Sequence, residues 1–297
     1  MKKMTKFFAL ALLAGAMVSC STEDTAPSTQ NDKVAVQFTG GISVNTRAAG
    51  LAWAEGDMIG IFMTGTKQPL SADAIQEGVD NICYQTSGSI GFSPVSGGKT
   101  VFFPIDGDVD FYSYYPQTTV NDYKVALDVT DQGKQEAIDF MYAKTEGCNK
   151  ATPQVFLKFY HKLSNLVLDV QPGNGLTQED LKKMTVTVKG QNTKATFNLA
   201  DGTISGEGNP TDIKMKTTQA GKLYEAILLP TEEASRVIEF DLNNGYDAPF
   251  VWTMPAKLEG GKRYHYTVVK LSRSAVEISG TIKPWTEAGD NKEHVAQ

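Results

Sequence analysis

Cysteine, histidine and tryptophan each occur only three times in 297 residues. Apart from Cys20, which ends an apolar leader, the cysteines are Cys83 and Cys148. Two cysteines make no disulfide framework, so a hydrophobic core must hold the fold, and the sequence leaves open whether the pair is bonded or consists of two buried thiols. His161, His265 and His294 lie far apart with no metal-ligand spacing, and the first two fall inside strand patterns that suit hydrogen-bonded structural residues. GxSxG, HExxH, P-loop and GxGxxG patterns are absent, and nothing singles out a pair of carboxylates for glycoside hydrolysis. Asp106-Gly107-Asp108-Val109-Asp110 starts like a calcium loop, but Phe111 and Gln117 stand where glycine and glutamate are required, which leaves a solvated turn. The chain therefore reads as no enzyme, with no cofactor and no metal.

Positive charge is scarce as well. Lys2, Lys3 and Lys6 belong to the leader, so the remainder carries 25 basic against 34 acidic residues, a net charge of −9. With no basic cluster, nucleic acid is excluded as a partner. The leader itself is a basic Met1 to Lys6 followed by an apolar Phe7 to Val18, shorter than the roughly 20 residues a bilayer span takes. Residues 1–19 therefore read as a signal peptide. Met17-Val18-Ser19-Cys20 resembles a lipobox, with Cys20 as a lipidation site that anchors the chain to a membrane without spanning it. Ser21-Thr22-Glu23-Asp24 resembles the export signal of surface lipoproteins in Gram-negative anaerobes, and residues 21–33 form a polar linker.

What the chain has in quantity is strand signal. Val34, Val36, Phe38, Gly40, Ile42 and Val44 alternate strictly with Ala35, Gln37, Thr39, Gly41 and Ser43, the period of a strand with one buried face. The pair Gly40-Gly41 marks a bulge or a close backbone approach. Thr46-Arg47-Ala48-Ala49-Gly50 follows, a small-residue segment with one basic side chain, which is what a trypsin-like protease needs. Further strands are expected at Met58 to Met63, Asn81 to Thr86, Gly91 to Val95, Thr100 to Phe103, Phe111 to Tyr115, Tyr123 to Val129 and Asp139 to Ala143. The polar, Gly- and Pro-bearing Glu146 to Pro153 suggests a domain boundary. Beyond it strands are expected at Val155 to Tyr160, Leu163 to Val170, Met184 to Val188, Ala195 to Leu199, Tyr224 to Leu229, Val237 to Leu242, Phe250 to Met254, Tyr264 to Leu271 and Val276 to Ile282. One short helix is expected, Thr177 to Lys183, with Thr177 as N-cap. Many short strands, few helices and no 20–50-residue repeat argue for β-sandwiches.

Several stretches, in this order, resemble the fimbrillin-like family, the type V pilus subunits of Gram-negative anaerobes. They are Thr46-Arg47-Ala48, then Trp53-x-x-Gly56-Asp57-x-Ile59-Gly60-Ile61-Phe62, Phe111-Tyr112-Ser113-Tyr114-Tyr115-Pro116 and Val155-x-Leu157-x-Phe159-x-His161-Lys162-Leu163-Ser164. Ala226-Ile227-Leu228-Leu229-Pro230, Gly260-Gly261-Lys262-Arg263-Tyr264-His265-Tyr266 and Ile282-Lys283-Pro284-Trp285 complete the series. The resemblance implies an all-β fold of two transthyretin-like β-sandwich domains in tandem. Residues 1–19 would be the signal peptide, 20–47 a lipidated propeptide containing a removable first strand, 48–150 the first sandwich and 151–297 the second. It further implies lipid on Cys20, cleavage of the Arg47–Ala48 bond by an arginine-specific protease, and release of the strand bearing Val34, Val36, Phe38, Ile42 and Val44. A strand from another pilus subunit would then fill the slot, taking the chain from the outer membrane into a fimbria that supports cell adhesion.

A stalk subunit must also donate a C-terminal strand. Here the last apolar run, Val276, Ile278, Ile282 and Trp285, is interrupted by Gly280, which would suit a tip or accessory subunit that accepts a strand without offering one. The alternative from another class is a surface lipoprotein that stays monomeric and binds a glycan, stacking Trp53, Trp252, Trp285 or the aromatics of 111–115 on sugar rings.

Overall fold

A computed structural model of the protein describes residues 33–43, 53–272 and 275–284. Cys20, Val44, Arg47, Ala48, Trp285 and His294 lie outside the described residues. The chain is all-β: β1 (Gln37–Ile42), β2 (Glu55–Gly65), β3 (Ile82–Ser87), β4 (Gly91–Pro94), β5 (Val109–Tyr115), β6 (Lys124–Asp128), β7 (Met141–Cys148) and β8 (Gln154–His161) make up the first part. They are followed by β9 (Ser164–Pro172), β10 (Thr185–Asn198), β11 (Thr203–Lys214), β12 (Lys216–Gln219), β13 (Leu223–Leu228), β14 (Arg236–Asp241), β15 (Phe250–Met254), β16 (Lys262–Ser272) and β17 (Ala275–Pro284).

Seven strands form a closed barrel in the order β1-β4-β3-β2-β5-β7-β8. Alternation explains how they sit. In β8, Val155, Leu157, Phe159 and His161 are buried while Gln154, Phe156, Lys158 and Tyr160 are exposed, so one face fills the barrel and the other meets water. The exception is β5, which is buried at all seven positions. Its Val109, Phe111 and Tyr115 belong to the barrel core, whereas Tyr112 and Tyr114 belong to a second core. β5 and its neighbour β2, whose Ile59, Ile61 and Met63 face the barrel while Phe62 faces away, are thus a wall shared by the two cores. This is why the FYSYY stretch can be aromatic on both faces.

The second core lies between two sheets. One runs β11-β10-β14-β15, with β6 also paired to β10, and the other runs β12-β13-β9-β16-β17. Val186, Val188, Phe197, Ile238 and Phe240 from the first sheet meet Leu166, Leu168, Tyr224, Tyr264 and Leu271 from the second in one cluster. Because β6 lies in the first half of the chain and pairs with Lys194–Asn198 of β10, the two halves are laced together. Glu146 to Pro153 contains the end of β7 and the connection to β8, both barrel strands, and the chain passes from barrel to second core through Lys162-Leu163.

Three local expectations differ. Thr177 to Lys183 forms successive turns instead of a helix: Asp180 accepts hydrogen bonds from both the N–H and the hydroxyl of Thr177 at 2.7 Å, but seven residues with one buried side chain, Leu181, do not offset helix nucleation. Met184 to Val188 and Ala195 to Leu199 belong essentially to one long strand, β10, and its partner β11 was hidden by Gly206, Gly208 and Pro210. β11 ends its sheet and pairs with register shifts, the setting in which a strand tolerates proline. Thr100 to Phe103 makes only a single bridge, Ala35 to Phe102.

Cys83 in β3 and Cys148 at the end of β7 are free thiols. Burial pushes both thiols up, and for Cys148 the nearby Asp110 and Asp108 add to it, to about 11. Only the thiolate is nucleophilic, so at pH 8 about one Cys148 in a thousand is reactive at any moment. Iodoacetamide should therefore label native Cys148 on the order of a hundred times more slowly than it labels the unfolded chain, as read by peptide mass analysis.

Candidate functional site

The chain enters the described fold at Lys33 and runs extended to Ser43, hydrogen-bonded along both edges. Toward β8 it pairs in parallel from Gln37–Gln154 to Ile42–Phe159, bracketed by Gln37 N donating to Pro153 O at 2.8 Å and Ser43 N donating to Phe159 O at 2.7 Å. On the other edge Val36 N donates to Val101 O at 2.9 Å, Phe103 N donates to Val34 O at 2.9 Å and Gly40 N donates to Ile90 O at 2.7 Å. The register there is antiparallel, Phe38 opposite Phe92 and Thr39 opposite Gly91. β1 is therefore the closing strand of the barrel, and taking it away would leave β4 and β8 as open edges.

Its inward face follows the alternation. Val36 and Phe38 are 6% and 2% exposed, Gly40 is buried, Val34 and Ile42 are half-buried, and Gln37 faces solvent. Phe38 stands edge-on to Tyr84 at 5.2 Å and to Phe111 at 5.1 Å, the T-shaped arrangement aromatic rings prefer. Val36 and Phe38 each contribute about 1.5–3 kcal/mol by burial.

Trp53 is the first described residue after the segment that joins β1 to β2. It is 4% exposed, and its indole N–H donates to the carbonyl of Gly40 at 2.8 Å. Its ring is held edge-on by Phe92 at 5.1 Å, Phe159 at 5.2 Å and Tyr115 at 5.4 Å. The sequence marked Trp53 as part of a motif, but its hydrogen bond to β1, and the walls formed by Phe92 and Phe159, depend on the barrel closing and leave no local signal.

Gly40 is glycine for want of space and not for backbone conformation. A Cβ there would lie 2.8 Å from Cε2 of Phe92 and 3.2 Å from Cε2 of Phe159, both rings buried and locked against Trp53. Gly41 faces outward. A Cβ on it would meet only the tip of the Phe156 ring at 2.8 Å, and Phe156 is 53% exposed and free to swing into water.

The other residues singled out in the sequence are structural. Asp110 is fully buried, and its carboxylate accepts from the Thr66 hydroxyl at 3.1 Å and from the backbone N–H groups of Lys67 and Gly147 at 2.9 Å each, pinning the turn after β2 and the end of β7 to β5. Asp108 accepts from the Asn149 side chain at 3.0 Å. His161 Nδ1 lies 2.8 Å from Asp139 Oδ1 inside the fold. Trp53 and the aromatics of 111–115 are buried and offer no sugar-stacking platform, while Trp252 packs edge-on to Tyr266 at 4.8 Å.

Comparison with known proteins places this geometry. The family model for fimbrillin-like proteins matches residues 46–285. A Bacteroides uniformis protein that carries the name of a fimbrium subunit, Fim1C, is 33% identical over 294 residues, 93% of each chain. The chain belongs to the fimbrillin-like family. Among solved structures, one from Bacteroides uniformis, described as a cell adhesion protein, superposes with a TM-score of 0.74 at 31% identity, over 86% of this chain and 99% of that one. Another so described, from Bacteroides ovatus, gives 0.70 at 25% identity over 87% of this chain and 100% of that one. The family match begins at Thr46, just after the first strand.

The two glycines of this fimbrillin-like chain predict opposite outcomes. Gly40→Ala should lower stability by about 1–3 kcal/mol through overpacking, and Gly41→Ala should change it by no more than about 0.5 kcal/mol. Phe38→Ala should cost about 3–5 kcal/mol. Urea unfolding of the three variants against wild type measures all of these.

Proposed function

We propose that this chain is a structural subunit of a type V fimbria, assembled by exchange of its first strand and supporting cell adhesion. In this reading it is exported as an outer-membrane lipoprotein anchored through Cys20, and an arginine-specific protease cuts the Arg47–Ala48 bond. The segment 20–47, carrying Val34, Val36, Phe38, Ile42 and Val44, then leaves, and a strand of a neighbouring subunit takes its place. The barrel and the two-sheet unit correspond to two transthyretin-like sandwich domains in tandem, with the change of sheet at Lys162-Leu163.

The observation that carries this reading is the position of β1. It is hydrogen-bonded on both edges and buried on one face, yet it is joined to β2 through the stretch that holds Arg47. Family membership and the relatives' names support the fimbrial role. Energetics supports exchange. Loss of Val36 and Phe38 alone removes about 3–6 kcal/mol of apolar burial, a large share of the roughly 5–15 kcal/mol that stabilises a whole domain. An emptied slot must refill or the barrel loosens, and strand addition supplies both ladder bonds and side-chain pockets. Because giving and receiving surfaces differ, such a contact repeats head to tail and builds a filament.

Digestion with an arginine-specific protease tests the proposal. Wild type should lose its segment up to Arg47 early and then form ladders that survive unheated SDS, whereas Arg47→Ala should stay uncut at this bond and monomeric. Cleavage at Arg47 that leaves only stable monomer, or ladders formed equally by the variant, would overturn it.

A further inference from the structure

Three aromatic side chains are exposed among the described residues, Phe156, Tyr160 and Tyr246, and the first two stand on the same face of one strand. The outward positions of β8 are Gln154, Phe156, Lys158 and Tyr160. Closure of the barrel needs nothing apolar there, because Val155, Leu157 and Phe159 already fill the inside. Phe156 and Tyr160 are 53% and 48% exposed. Four residues of strand set them about 13 Å apart.

The surroundings of the two rings are polar and specific. The tip of Phe156 comes to 2.8 Å from where a Cβ on Gly41 would be, so the ring reaches over the neighbouring strand and glycine is what leaves room for it. A ring spread over the sheet in this way offers area for stacking. On one side of it Gln154 Nε2 donates to Gln37 Oε1 at 3.2 Å, which ends the strip in two exposed amides. On the other side Lys158 holds its ammonium 5.3 Å from the centre of the Tyr160 ring. Among the described residues no carboxylate neutralises Lys158, whereas Lys144 on the adjacent β7 is paired with Glu146 at 2.7 Å.

Rings alone would fit any apolar surface, but rings interleaved with amides and an unneutralised ammonium fit fewer ligands. The C–H face of a sugar stacks on an aromatic ring, its hydroxyls bond to amides, and a carboxylate meets the ammonium. The strip is also narrow. Thr39 and Gly41 of β1 and Thr145 of β7 flank it with small side chains, so it suits an extended, linear ligand and is too slight for a stable protein interface. In a chain of net charge −6 the general field repels anions, so an acidic ligand must be held by this local ammonium.

We propose that the outer face of β8 is a binding strip for an acidic oligosaccharide. Phe156 and Tyr160 stack on two of its rings, Lys158 meets a carboxylate between them, and the Gln37–Gln154 amides bond hydroxyls at one end. A ligand that engages both rings must span about 13 Å, which an oligosaccharide does and a single sugar does not. The inference goes beyond the fimbrial reading and does not rest on strand exchange, since the uncut chain carries the whole strip.

Calorimetric titration of the uncut full chain with an oligosaccharide of galacturonic acid tests it, beside the methyl ester of the same oligosaccharide and the free monosaccharide. The acidic oligosaccharide should bind, and the ester and the monosaccharide should each bind at least about tenfold more weakly. Phe156→Ala and Tyr160→Ala should each weaken binding by about fivefold or more. Lys158→Gln should bring acid and ester to equal affinity, and Tyr246→Ala, which removes the third exposed aromatic, should change nothing. All four side chains are exposed, so the fold should survive each substitution, as read by circular dichroism. The inference is overturned by absence of binding, by binding that Phe156→Ala and Tyr160→Ala leave intact, or by equal affinity of the wild type for acid and ester. It is overturned as well if the wild type elutes as a dimer that either alanine substitution dissolves, because the strip is then covered by a second copy.

Discussion

Pairing of β1 along both edges is the interaction on which the barrel depends. A sheet that is closed by one strand has no edge left over, and its interior can be filled by aromatic rings from several strands at once. Phe38 makes this concrete: it meets Tyr84 of β3 and Phe111 of β5, so the first strand reaches the far wall of the barrel. Trp53 then ties the return of the chain to the middle of the same strand through the Gly40 carbonyl. Closure, core packing and the first connection are one arrangement, and they stand or fall together.

Much of this was readable in the sequence, and the reason is the period of two. In 36–40 and in Val155–His161 the alternation is clean and the burial follows it, so the strand and its inward face could be named from the pattern alone. β5 carries aromatic residues on both faces and is buried on both, and the structure supplies the reason, a core on either side. β11 was illegible because an edge strand with bulges need not obey propensity, so Gly206, Gly208 and Pro210 hid it. Residues 177–183 form turns in place of the expected helix because local capping chemistry is present there without the apolar face that would stabilise a helix.

The slot itself divides the same way. That Val36 and Phe38 face inward is a statement about one strand, and one strand's sequence contains it. That Gly40 has no room depends on Phe92 from β4 and Phe159 from β8, which are brought to it only by closure. The glycine pair read from sequence as a bulge or a close approach resolves into two different cases, one enclosed and one open, and nothing local distinguishes them. The proposed lipid on Cys20 and cleavage at Arg47 rest on neighbouring residues alone, which is why the sequence could suggest them.

Removal of β1 would reopen the barrel along two strands at once. A chain emptied of β1 would present the edges of β4 and β8 in addition to the outer edges that its two open sheets already have. A strand seated between β4 and β8 pairs both edges at once, as β1 does here. In the proposed scheme, hydrolysis of the Arg47 bond would make loss of the original strand irreversible once it diffuses away, because rebinding would no longer be intramolecular. A strand with a side chain at the Gly40 position could pair its backbone there only by displacing the Phe92 and Phe159 rings that pack against Trp53.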